Sequence, residues 1–127
     1  MPVNVKVINT KDFIKTTATG ILDFAASKQA ILDIAAQIKQ PGEYEVLVDT
    51  RGAEVMLSIV DLYELGKALA DHSSLRHSKV CLLGSMNELD KARFLQLVAQ
   101  NRGVRIKAFT DFEQAITWLV MQEKPQE

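Results

Sequence analysis

Glu45-Val46-Leu47-Val48-Asp49-Thr50-Arg51-Gly52 is the stretch on which the reading of this chain turns. Three consecutive aliphatic residues run straight into an acid, a hydroxyl, a base and a glycine. An unbroken apolar run that ends in turn chemistry reads as a strand buried on both faces, in the middle of a parallel sheet. The carboxyl ends of such strands are where open α/β sheets hold what they bind. Asp49, Thr50 and Arg51 are therefore the first candidate binding residues. Arg51 would pair an anion and Gly52 would let its backbone come close. A purely structural role stands beside this one, in which Asp49 caps backbone amides at a strand-to-loop junction.

Working outward, Val3, Val5 and Val7 alternate with Asn4 and Lys6, the period of a half-buried strand. Asn9 to Asp12 supply turn residues, and Phe13 to Thr19 resume as a second, antiparallel strand that ends or bulges at Gly20. Ser27 reads as the N-cap of a helix with Ile31, Ile34, Ala35 and Ile38 on one face, stopped by Pro41-Gly42. After the central strand, Ser58-Ile59-Val60-Asp61 has the spacing of a capping box, with Asp in place of Glu. Leu62, Leu65 and Leu69 continue that helix, which frays near Asp71 to Ser74. Lys79 to Gly84 is a second buried strand. Ser85 then opens a helix with Ala92, Leu95, Val98 and Ala99 inward, ended by Asn101-Arg102-Gly103. In Val104 to Phe109 charges alternate with apolar residues, which places this strand at an edge. Thr110-Asp111-Phe112-Glu113 caps the last helix, with Ala115, Ile116, Leu119 and Val120 on its apolar side.

The expected fold is α/β: a mixed, mostly parallel sheet of about five strands with about four helices, a hairpin followed by strand-helix units joined by right-handed crossovers. At 127 residues the chain fits one domain over 1–127, with 122–127 a frayed polar tail. Its net charge of −1 argues against a nucleic-acid or membrane surface. Arg93, Arg102, Arg105 and Lys107 lack the interleaved aromatics of a nucleic-acid site. A single cysteine, Cys81, excludes an internal disulfide and reads as a small buried hydrophobe. Neither a signal-peptide pattern nor an apolar run of spanning length is present, so a cytoplasmic protein without stable membrane association is expected.

The chemistry of a catalyst is harder to find. His72 and His77 have only Asp71 as a neighbouring ligand, so no metal site is expected. The glycines match neither a phosphate-cradling loop nor a dinucleotide fingerprint. No serine-histidine-acid set and no carboxylate pair emerges. The expectation is a protein without enzymatic activity, metal or cofactor.

Leu47-Val48-Asp49, Lys79 to Leu83, and the closing pattern Phe109, Asp111, Ala115, Trp118 and Leu119 together resemble the SpoIIAA-like branch of the STAS domains. The resemblance spans roughly residues 40 to 121. It implies helices packed mainly on one side of a mixed sheet, and binding or regulation in place of catalysis. It also implies phosphorylation of a serine at the start of the helix after the central strand. Ser58 falls near that position, although the acid before it and the glycine after it in the family's Asp-Ser-x-Gly motif are absent. The branch is grouped by fold with lipid-binding Sec14-type domains, which implies a small apolar ligand as an alternative.

The functional expectation is a STAS-like regulatory or protein-interaction module whose partner protein meets the loop and helix start from Asp49 to Ser58. The alternative is a Sec14-like carrier of a small apolar or acyl ligand, motivated by the Ile, Leu, Val and Met residues flanking Leu57 to Leu69. An anion-dependent enzyme at the same strand ends ranks third. Self-association as a homodimer, through an exposed Trp118 or the hairpin edge, is a separate expectation.

Overall fold

The computed structural model describes residues 4–9, 13–38 and 45–121. Val3, the turn at 10–12, the Pro41-Gly42 stop and the tail at 122–127 lie outside the described residues. Strands β1 (Asn4–Asn9), β2 (Phe13–Leu22), β3 (Glu45–Val55), β4 (Lys79–Leu83) and β5 (Arg105–Phe109) form one sheet in the order β1-β2-β3-β4-β5. The β1–β2 pair is antiparallel and the other three pairings are parallel. The edge position expected for the charge-alternating β5 is where it sits.

Helices α1 (Phe24–Gln37), α2 (Ile59–Asp71), α3 (Ser73–Arg76), α4 (Leu89–Gln100) and α5 (Phe112–Val120) complete the fold, with a 3-10 turn at Met86–Glu88 before α4. That is one helix more than the sequence indicated. The segment expected to fray after Asp71 instead winds into α3 and buries Leu75.

Sheet order explains the layering. Because β2 to β5 advance one place at a time in the same direction, right-handed crossovers put α1, α2 and α4 on the same face. Ile31 and Ile34 of α1, Leu65 and Leu69 of α2, and Ala99 of α4 are buried there against Ile14, Val46, Val80 and Ile106. Only α5, following the last strand, is free to fold under the sheet. Its Ala115 and Leu119 meet Leu47, Cys81 and Leu83. The neighbouring stretch of β2 presents Lys15, Thr17 and Thr19 to that side, polar residues that tolerate water.

Strand β3 does not end at Gly52 as its composition suggests, but runs to Val55. Thr17 pairs with Asp49 and Thr19 with Gly52, so Thr50 and Arg51 together oppose Ala18 in a β-bulge. Just past it, Gly20 takes φ +83°, a left-handed conformation that suits glycine. One extra residue reverses the side-chain alternation of β3. Val46, Val48 and Thr50 face α2, and after the bulge so does Val55, while Thr16, Ala18 and Leu22 of β2 keep a single parity.

Three caps differ from expectation. Asp23, not Ser27, caps α1, accepting from the Ala26 amide at 2.9 Å, and Ser27 is buried within the helix. Ser85 makes no side-chain cap, since the chain first forms the 3-10 turn. Asp111, not Thr110, caps α5 and accepts from the Gln114 amide at 2.9 Å. At α1 and α5 the residue that caps is set by where the strand releases the chain, whereas neither Ser85 nor Glu88 makes a side-chain cap before α4. Between α2 and α4 the helices meet at Gly66, where a Cβ would lie 2.5 Å from Val98 Cγ1.

Candidate functional site

The four candidate side chains occupy three places. Asp49 and Arg51 lie on the α5 side of β3. Asp49 is 7% exposed, and its carboxylate is held from two directions. Its Oδ1 accepts from the Arg51 amide and Nε, both at 3.0 Å, and its Oδ2 accepts from Arg51 Nη2 at 2.9 Å. Burial alone would raise the Asp49 pKa, but the Arg51 hydrogen bonds and charge, with a contribution from Lys15, outweigh it and lower the value. The same hydrogen bonds raise Arg51 further. The guanidinium lies 5.7 Å from the Phe112 ring centroid, which ties the bulge to the start of α5. This pair is a brace: its fork-on-carboxylate geometry already occupies the groups that would bind an anion.

Thr50 points to the opposite side, with Oγ1 donating to the Leu83 carbonyl at 3.5 Å. Ser58 stands three residues past the end of β3, as the N-cap of α2. Its Oγ accepts from the Asp61 amide at 3.1 Å, and Asp61 Oδ2 accepts from the Ser58 amide at 3.0 Å, the reciprocal capping box the spacing predicts. The structure thus brings Asp49 and Arg51 together and leaves Thr50 and Ser58 apart from them.

Around Ser58 the chain exposes apolar side chains that local patterning assigned to the capping box or passed over. Met56 is 56% exposed, Ile59 69% and Val60 68%. Tyr63 follows on the next turn, its hydroxyl accepting from Arg102 Nη2 at 2.9 Å. Met86, in the turn after the adjacent parallel strand, is exposed at the same end of the sheet. A helix start fixed by a capping box thus carries several exposed apolar residues close together in the chain, a feature associated with interaction surfaces. The signal available in the sequence was Ile59-Val60 between two capping residues, where the first turn of a helix is normally solvated.

Under α2 the structure is hollow. A cavity of about 120 Å³ lies between the sheet and α1, α2 and α4. Its walls are mostly aliphatic, with Thr16 and Ser27 among the lining residues and Glu88 and Lys91 at the carboxyl end of the strands. Lys91 Nζ donates to the Val55 carbonyl at 2.8 Å and pairs with Glu88 Oε2 at 3.0 Å, bridging α4 to the end of β3.

On the opposite face α5 packs on the central strands. Lys79 is 5% exposed, and its Nζ donates to the carbonyls of Trp118 and Met121, the latter at 2.9 Å, satisfying the end of α5. The same ammonium sits 4.6 Å from the Trp118 ring centroid. Trp118 also packs against Phe109 at 5.8 Å, so the aromatic that could have marked an interface is engaged with its own sheet. Cys81 lies in this layer, and burial pushes its thiol pKa up to about 12. Among the described residues, no group of three or more His, Cys, Asp or Glu could hold a metal ion, and no helix is long and apolar enough to cross a membrane.

No family model and no curated protein matches the chain. Solved structures do. An uncharacterized protein of the DUF3478 family with a SpoIIAA-like fold, from Shewanella loihica PV-4, shares 19% identity at a TM-score of 0.57, over 92% of this chain and 93% of that one. An anti-sigma factor antagonist from Mycobacterium paratuberculosis shares 14% identity at a TM-score of 0.62, over 93% of this chain and 94% of that one. The fold of this chain is SpoIIAA-like.

Proposed function

We propose that this chain is a STAS-like protein-interaction module that docks a partner protein through the start of α2 and acts by binding, without catalysis. The observation that carries the reading is the exposed apolar run of Met56, Ile59 and Val60 on either side of Ser58. Apolar side chains held on a helix start by a capping box are preorganised, so docking them loses little conformational entropy. Asp49 and Arg51 support this surface from within, by fixing the bulge that directs β3 toward it. That a protein of the same fold is an anti-sigma factor antagonist supports a regulatory role of this kind.

The test starts from affinity capture with the whole chain as bait, followed by calorimetric titration of the captured protein after purification. Ile59→Asp with Val60→Asp should weaken that binding by at least about tenfold, as expected for residues at an interface centre, while leaving the circular dichroism spectrum unchanged. Binding to the purified partner that is unaffected by this double substitution would refute the site.

A further inference from the structure

Among the described residues, two hydroxyls are buried without a partner, and both line the same cavity. Thr16, on β2, is 1% exposed, and Ser27, on α1, is 9% exposed. Neither Oγ has a hydrogen-bond partner among the described residues. Both residues belong to the wall of the space under α2. Glu88 Oε2 is also without a conventional hydrogen bond there, but the 3.0 Å ion pair with Lys91 accounts for it.

Buried polar atoms in folded proteins are nearly always satisfied, so two orphans facing one hollow need a common explanation. Each hydroxyl can donate one hydrogen bond and accept others. Around them the wall is aliphatic: Ile31, Ile34, Val46, Leu65, Leu69 and Val80. Water occupies such a space well only where it finds two to four polar partners. One molecule could serve the hydroxyls, and further waters would meet hydrocarbon. An apolar cavity of about 150 Å³ is known to stay dry and admit benzene, so about 120 Å³ suits an occupant near that size. A buried carboxylate or ammonium would find no opposite charge at the two hydroxyls, because Lys91 and Glu88 already hold each other.

We propose that the space between the sheet and α1, α2 and α4 is a binding site for a small, uncharged, largely apolar molecule carrying one hydroxyl, such as a phenol or short-chain alcohol, whose hydroxyl meets Thr16 and Ser27. The apolar body lies against Ile31, Ile34 and Val80. Partly exposed Leu57, Glu88, Lys91 and Ala92 surround the cavity at the carboxyl end of the strands, which makes this end its mouth. This site is distinct from the docking surface proposed above: it uses the inner face of α2, through Leu62, Leu65 and Leu69, while Ile59 and Val60 face outward.

The experiment is a methyl-NMR titration of the whole chain with phenol and, separately, with benzene, following the methyl groups of Ile31 and Ile34. Both probes should shift these resonances saturably. In a Thr16→Val, Ser27→Ala double variant, phenol should bind about tenfold more weakly while benzene changes less than about twofold. The variant should fold, because it removes only unpaired buried hydroxyls. Ala92→Leu, which fills the cavity from α4, provides a second arm and should weaken both probes. Absence of saturable shifts with either probe, as for a space holding water only, would overturn the proposal. So would phenol and benzene responding alike to the loss of the two hydroxyls.

Discussion

The two faces of this sheet solve the same burial problem differently. Under α5, every element is closed: Leu47, Leu83 and Leu119 interlock, Lys79 satisfies the helix end, and Arg51 satisfies Asp49. Under α1, α2 and α4, three helices span a wider area, and the centre is left hollow with two hydroxyls unpaired. A single nine-residue helix can settle onto the strands side chain by side chain. A helix held by neighbours on both sides has less freedom to do so. The closed face is where polar groups are used for structure; the hollow face is where they are left available.

Truncation separates the two faces most directly. Leu119→Ala, in the closed layer, should cost roughly 2–5 kcal/mol in urea unfolding, because little can collapse into the space. Leu57→Ala, beside the mouth of the cavity, should cost about 1 kcal/mol or less. Equal costs would mean that the two faces are packed alike.

A smaller effect concerns the Asp49–Arg51 brace. The folded carboxyl has a lowered pKa, so its contribution to stability is present above the unfolded value of about 3.9 and disappears as pH falls through the folded value. With Arg51 44% exposed, solvent screening limits that contribution to about 1 kcal/mol. Asp49→Asn should therefore destabilise at about pH 7, and the deficit should shrink as pH is lowered from about 4 toward the lowest value at which the chain stays folded. A deficit of the same size throughout would show that the charge is not what matters.

The finest test leaves stability untouched. Fully buried, and with burial pushing its pKa up to about 12, the Cys81 thiol should be alkylated far more slowly in the native chain than an ordinary cysteine, and at a normal rate in urea. Rapid native labelling would mean that the closed face opens.

Much of the scaffold is legible in local sequence. Val46 to Val48 and Val80 to Leu83 announce buried strands because both faces of a central strand must be apolar. Ser58 and Asp61 announce a helix start because their bond spans only three residues. What stayed hidden depends on partners far along the chain. Gly52 reads as a stop, yet β3 continues because β2 offers a register that a bulge can follow. Lys79 reads only as the first residue of a buried strand, and its role appears when the end of α5 arrives 39 residues later. Of the candidate residues, Arg51 reads in sequence as open to an outside anion and Asp49 as a cap on backbone amides, whereas the two close on each other. The cavity could not be read from sequence, since Thr16 and Ser27 look unremarkable until the sheet and α1 face each other across it.

Gly66 bears on how that hollow persists. With no side chain there, α2 rests directly on Val98 of α4. This close approach holds α2 from the side, while Leu65 and Leu69 rest on the strands below. The roof over the hollow is thus braced in the manner of an arch, by a neighbour at its flank as well as by footings on the sheet.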